Sequence, residues 1–364
     1  MKERIAVVAV LAVLLAASAY AQTARYYVYV ANSGSNNVST YTMNPISGAL
    51  TSIGSPIAAG GNPYGAAVDP KGKFVYVANH NSNNVSAYSI NPGTGKLSAV
   101  VGSPFAAGEN PYGIAVDPKG RFLYVTNWED RSVSAYTLDP SSGALTTVAG
   151  SPFAAGAFPH GIAVDPTGKF VYVANSGGVS AYMINPSNGT LTGVNGSPFA
   201  AGTHPYGVAV DPTGRFVYVA NNKGDEKNGS ADLSAYSINV STGALTPISG
   251  SPLVGPSPWG IAADPTGKFL FVANDNTDSV SAYTINQETG GLSDVSGSPY
   301  ASGSTAEGVV VDPTGKFLYV ANWDDSDVSA FLINSSTGKL ESVSGSPFAN
   351  GAGWGMAIAK VTGP

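Results

Sequence analysis

Phe74-Val75-Tyr76-Val77-Ala78-Asn79, Val85-Ser86-Ala87-Tyr88-Ser89-Ile90-Asn91, Gly102-Ser103-Pro104-Phe105 and Pro111-Tyr112-Gly113-Ile114-Ala115-Val116-Asp117-Pro118 follow one another along the chain as one phrase. The phrase recurs seven times. Its marker asparagine falls at Asn32, Asn79, Asn127, Asn175, Asn221, Asn274 and Asn322, at intervals of 47, 48, 48, 46, 53 and 48 residues. A unit of this length with four short strands is one blade of a β-propeller. In the second unit, residues 65–69 read as an innermost strand of small side chains. Asp69-Pro70-Lys71-Gly72 is a turn, in which Asp bonds the backbone ahead, Pro presets φ and Gly accepts positive φ. Residues 74–78 are apolar on both faces and need cover on both sides, which neighbouring blades supply. Residues 85–90 mix serine with apolar side chains, as a strand nearer the rim should. Residues 97–101 form the outermost strand, and Gly102-Ser103-Pro104-Phe105 leads to the next blade.

The two ends complete one unit. The first strand-like segment, Tyr26-Tyr27-Val28-Tyr29-Val30, is the second strand of a unit, and Trp354-Gly355-Met356-Ala357-Ile358 aligns with an innermost strand. The expected fold is therefore all-β: a seven-bladed β-propeller of four-stranded antiparallel blades, closed by the C-terminal strand completing the N-terminal blade. Closure removes open sheet edges. Residues 22–364 read as one domain.

Residues 1–21 read as a secretory signal peptide: Lys2 and Arg4, an apolar run over 5–17, then Ser18-Ala19-Tyr20-Ala21. The expectation is a secreted, periplasmic or cell-surface protein with no membrane span after cleavage. Only 11% of residues are charged and the net charge is −6, with no basic run, which argues against nucleic acid. Cysteine is absent, so disulfides, thiolate metal sites and a cysteine nucleophile are excluded. No Gly-x-Ser-x-Gly elbow or phosphate-cradling glycine loop precedes a helix.

Chain direction sorts the loops. The Asp-Pro and Asn-Pro turns share the bottom face and barely vary. The inter-blade loops and those after each marker asparagine share the top face and do vary, so the top is the candidate binding face. The residue before the glycine that opens each innermost strand reads Tyr64, Tyr112, His160, Tyr206, Trp259, Glu307 and Trp354 around the ring. These seven should converge on the channel mouth. Either the aromatics seal the core, or they present a ligand wall; His160 and Glu307 suit the second reading better. Flanking Trp259 and Trp354 should desolvate Glu307 and raise its pKa, which suits a general acid or hydrogen-bond donor. His160 and Glu307 lie three blades apart, too far to touch but placed for both to reach one ligand. Trp128 and Trp323 add indoles near the top.

The fifth unit carries an insert at residues 222–229, read as a lid, a partner contact or plain solvated surface. Asp275/Asp278 and Asp324/Asp325/Asp327 lack the glycine and glutamate of a calcium loop and read as solvated charge. His80 and His204 read as surface residues, and three scattered histidines are weak evidence for zinc. No metal and no cofactor is expected.

Repeats such as Phe122-Leu123-Tyr124-Val125-Thr126-Asn127, with Asp-Pro-x-Gly-Lys before them, resemble the YVTN-type repeats of secreted and surface-layer proteins. The whole chain is also similar to the seven-bladed β-propeller lactonases, which include the propeller-type 6-phosphogluconolactonase and the fungal carboxy-muconate cyclising enzyme. That resemblance implies lactone hydrolysis. Pro159-His160-Gly161 matches the family's Pro-His motif. His204-Pro205-Tyr206 stands where members carry Arg-His, Ala220-Asn221-Asn222 lacks their glutamate, and Ser176-Gly177-Gly178 is too short for their charged residues. The carry-over leaves mainly His160.

Two functions follow. In the favoured one, an exported propeller, expected to be monomeric, binds a small polar or sugar-like ligand, a glycan or a cell-surface protein partner at the channel mouth, using Tyr64, Tyr112, Tyr206, Trp259, Trp354, Trp128 and Trp323, with weak or no catalysis. In the other, His160 is the general base of a lactonase, Glu307 assists the leaving oxygen, and Tyr112 or Tyr206 orients the carbonyl.

Overall fold

The computed structural model describes residues 24–222, 232–251, 253–349 and 353–362. The segment read as a signal peptide and most of the fifth-unit insert lie outside the described residues. Seven antiparallel sheets form seven blades. In the second blade the order from the channel outward is Pro63–Val68, Phe74–Asn79, Asn84–Ile90 and Leu97–Ala99. The ring closes as the ends of the chain require: Arg25–Asn32 pairs antiparallel with Gly353–Val361, with Val28 opposite Ile358.

One feature departs from the expected blade. The Phe105–Ala106 pair after Gly-Ser-Pro returns to the third strand as a short fifth strand, with Val85 opposite Phe105. Between it and Leu97–Ala99 the outer ladder has a gap, where Ser103 Oγ accepts the Ala87 N–H at 2.9 Å. Ser151, Ser197, Ser251, Ser298 and Ser346 do the same for their blades. The serine of the repeat is there because a buried N–H without a partner is costly.

There is no single core. Seven apolar wedges lie between adjacent blades; one joins Phe74, Tyr76 and Ala78 to Leu123, Val125 and Tyr136. Another joins Phe317 and Tyr319 to Val28 and Tyr41 across the closure. Second-strand tyrosines tie neighbours together at the bottom: Tyr76 Oη donates to Gly143 O at 3.1 Å, and Tyr319 Oη to Gly48 O at 2.7 Å. The marker asparagines are fully buried. Asn79 Nδ2 donates to Ser86 Oγ at 2.8 Å while its Oδ1 accepts the Gly60 N–H at 3.1 Å, pinning the incoming loop. In the Asp-Pro turn, Asp69 Oδ1 accepts the Phe74 N–H at 2.7 Å. The seven marker asparagines and the six aspartates of these turns are structural.

The innermost strands approach most closely at the glycine after each ring residue. A Cβ added at Gly65, Gly113, Gly161, Gly207, Gly260, Gly308 or Gly355 would meet the carbonyl oxygen of the next blade's ring residue closer than 3.0 Å. For Gly113 that oxygen belongs to His160, and for Gly355 to Tyr64. Gly113→Ala is therefore expected to destabilise the fold by about 1–3 kcal/mol, the usual cost of overpacking. Gly193→Ala, where nothing lies within 4 Å of the new Cβ, should leave stability nearly unchanged. Thermal unfolding of the two variants checks this; equal melting temperatures would refute the glycine constraint.

Candidate functional site

The inner strands are bulged where the ring residues sit, between Pro63 and Ala66, Pro111 and Ile114, Pro205 and Val208, and Pro258 and Ile261. A bulge re-aims a side chain out of the sheet alternation. Here the bulges bring side chains from separate blades together over the channel. Tyr64 stacks on Tyr112 with centroids 4.6 Å apart, and Tyr206 stacks on Trp259 at 4.0 Å. Trp354 closes the set, 4.5 Å from Tyr64 and 5.4 Å from Trp259. The Tyr112 hydroxyl meets the Trp259 indole by a hydrogen bond, although burial still raises its pKa well above the ordinary value.

These five rings separate two cavities and line both. The upper pocket, about 640 Å3, adds His80, Trp128, Phe158, His160, Ser176 and His204. The lower one, about 150 Å3, adds Glu307 and the inner-strand glycines. The two titratable ring members thus face different cavities, and a ligand confined to either one does not meet both. The rings extend far enough toward the axis to fill the mouth between them.

His160 belongs to the blade whose inner strand is shortest, Ile162–Val164, and lies outside that strand. Its ring sits between Tyr112, edge-on at 4.8 Å, and Tyr206 at 4.1 Å. Its carbonyl is anchored by Thr126 Oγ1, which donates to it at 2.7 Å and accepts the Gly113 N–H at 2.8 Å. Thr126 stands where most other repeats carry alanine, as at Ala78 and Ala174. Burial first, then the positive potential of His204 and His80, lowers the His160 pKa from 6.5 to about 3. The ring is neutral at physiological pH, and its enclosed Nδ1 has no hydrogen-bond partner among the described residues.

Glu307 is 4% exposed, and its Oε2 has no partner among the described residues. Burial, reinforced by Asp275 and Asp324, pushes its pKa up to about 9. At neutral pH it is a protonated acid.

All three histidines of the chain line the upper pocket, an arrangement not evident from their scatter in the sequence. His80 stands 4.9 Å from Tyr64, and its Nδ1 lies 3.3 Å from Asn110 Nδ2. Phe158 and His204 occupy the left-handed region, with φ of 51° and 47°, where earlier blades place Asn62 and Asn110. Asparagine tolerates that region, whereas a bulky side chain there is strained and marks a position of interest. That departure within the repeat was the available signal. In five blades the N–H of the residue after the marker asparagine bonds back to this left-handed residue, as Trp128 does to Asn110 O at 2.9 Å and Asn222 to His204 O at 3.0 Å; in the His160 blade Ser176 bonds instead to Ala157 O at 2.8 Å, leaving Phe158 out of that bond. Trp128 reaches the pocket and packs on Phe158 at 4.7 Å. Trp323 lines neither cavity. It is 37% exposed, and its indole N–H donates to Ser33 Oγ at 3.1 Å. Among the described residues no group of three or more His, Asp or Glu side chains is placed to hold a metal ion.

No curated protein matches the chain in sequence. Among solved structures, a candidate 6-phosphogluconolactonase from Bacteroides uniformis is similar, with a TM-score of 0.80 and 20% identity over 92% of this chain and 99% of that one. The periplasmic gluconolactonase of Pseudomonas aeruginosa is also similar, with a TM-score of 0.78 and 18% identity over 93% of this chain and 99% of that one. At such identities the likeness concerns the fold. A family model described as "Lactonase, 7-bladed beta-propeller" matches residues 15–112, 102–203 and 194–306. The chain belongs to the seven-bladed β-propeller lactonase family.

Proposed function

We propose that this lactonase-family propeller is exported and binds a small polar ring compound, a sugar or sugar lactone, in the upper pocket. The observation that carries the proposal is the convergence of three histidines and seven aromatic rings on one 640 Å3 pocket. Aromatic faces stack on the apolar faces of sugar rings, and a few convergent polar groups set orientation. The neutral His160 supplies hydrogen bonds without charge, and its free Nδ1 gains a partner when a ligand hydroxyl or carbonyl arrives. A pocket about this size suits a ligand of one or two rings better than a protein surface.

Lactone opening is the second reading, favoured by family membership and by that free imidazole nitrogen. Two features weigh against efficient hydrolysis. A base whose conjugate acid has a pKa of about 3 is far from the operating pH. The only buried acid of the ring, Glu307, lies on the other cavity and is not placed to assist a leaving oxygen there. Binding with slow or no turnover is the function favoured here.

The test pairs calorimetric titration with pH-stat rates on a panel of sugars and sugar lactones, using wild type and His160→Ala. Saturable binding, weakened by the substitution and with ring opening at the spontaneous rate, is the expected result. Opening above that rate and lost in His160→Ala would establish hydrolysis instead; no heat from any compound would sink both readings.

The protonation of Glu307 has its own signature. Its ordinary pKa is 4.5 and its folded value about 9, so the unfolded chain sheds the proton first and stability falls as pH rises through that window. Glu307→Gln removes the loss. Its melting temperature should exceed that of wild type by a margin that grows from about pH 5 to about pH 9. A margin that does not change with pH would mean that the carboxyl is already ionised in the fold.

A further inference from the structure

We propose that the lower cavity is a site for a small organic cation, a quaternary or methylated ammonium headgroup, enclosed by Tyr64, Tyr112, Tyr206, Trp259 and Trp354 and paired with the Glu307 carboxylate. This proposal is independent of the sugar-binding reading, which concerns the other cavity.

Size is the first argument. The cavity measures about 150 Å3, comparable with an engineered apolar cavity of roughly 150 Å3 that binds benzene. A tetramethylammonium-sized group has a similar bulk. Chemistry is the second. The walls are aromatic rings and the backbone of inner-strand glycines, with one carboxyl group. The ring quadrupole attracts a cation at the face of tryptophan or tyrosine, most strongly where water is excluded.

The third argument is the state of Glu307. It is more than nine-tenths buried, lines this cavity, and leaves Oε2 without a partner among the described residues. A carboxyl buried this way is held neutral, and its ionised form is stable there only beside a counter-charge. The titratable groups around it are Asp275 and Asp324, which oppose its ionisation, and the Tyr64 and Tyr112 phenols, whose own ionisation it opposes. All are acids. The ion pair found among the described residues, Arg121–Asp117, belongs to an Asp-Pro turn on the opposite face. The positive charge this site lacks is therefore one a ligand can bring.

A hard metal ion fits poorly. Calcium takes six to eight oxygen ligands. The ring-residue carbonyls lie close against the neighbouring blade's glycines. A soft, weakly hydrated cation needs one carboxylate and a wall of rings, and the cavity has both.

Proton balance follows. The free acid, held protonated up to about pH 9, gives up its proton as the cation enters, leaving a carboxylate against the ammonium group. Binding at neutral pH must then release a proton, and affinity must rise with pH by up to about tenfold per unit until Glu307 ionises by itself.

Choline and its neutral isostere, in which a tert-butyl group replaces trimethylammonium, are titrated into the full protein by calorimetry and indole fluorescence, between about pH 6 and pH 9 in buffers of different ionisation enthalpy. Choline is expected to bind at least about tenfold more tightly than the isostere, with proton release at the lower pH. Glu307→Gln should abolish both the pH dependence and the preference for the cation. Trp259→Leu should weaken choline, and any fold defect in either variant is read separately from its melting curve. Equal affinity of wild type for choline and isostere, no choline binding at any pH, or binding without proton release would overturn the proposal.

Discussion

The structure depends on seven places where a backbone carbonyl presses against a glycine of the preceding blade. Each innermost strand reaches its neighbour there, and no side chain larger than hydrogen fits between them. Because the ring is closed, the constraint applies at all seven seams. The carbonyl belongs to the ring residue itself. Fixing its backbone against the next blade, together with the bulge in the strand, leaves its side chain free to project over the channel. The packing that closes the propeller is thus also what assembles the site.

Variation is spent where this scaffold tolerates it. Turns, marker asparagines and gap-filling serines carry the same side chains around the ring because each satisfies a buried backbone group. Three loop positions per blade are released from that duty: the ring residue, the left-handed residue two places before it, and the residue after the marker asparagine. In the blades around His160 these positions include histidines and aromatics, and in those around Glu307 they include Glu307 and Asp275 beside Trp259 and Trp323. The mouth is divided into a neutral, imidazole-bearing half above the rings and an acidic half around Glu307. Desolvation is the leading cause of both shifts, making His160 neutral and Glu307 protonated, so neither carries charge until a ligand changes its surroundings.

The sequence showed a great deal of this. Blade number, strand order, the shared blade and the inward position of the ring residues all followed from a period of about 48 residues and from the turn chemistry. The pairing of Tyr112 with Trp259 across the channel did not, nor did the separation of His160 from Glu307. A repeat places residues equivalently around an axis, but packing of side chains near that axis decides which lie above an aromatic layer and which below. His80 and His204 were passed over because they sit in loops that the repeat leaves variable. Thr126 was missed as a substitution for alanine inside an otherwise ordinary strand. The fifth short strand escaped notice because two residues carry no periodicity to read.

Sequence alone determined the architecture, since alternating apolar strands, turn residues and a fixed period are local signals that repetition amplifies. Tertiary structure alone decided the site. The five rings meet across the axis from different blades, and their contact divides one channel mouth into two cavities of different chemistry. No spacing along the chain encodes that division, because it arises from the volumes of side chains brought together only when the ring closes.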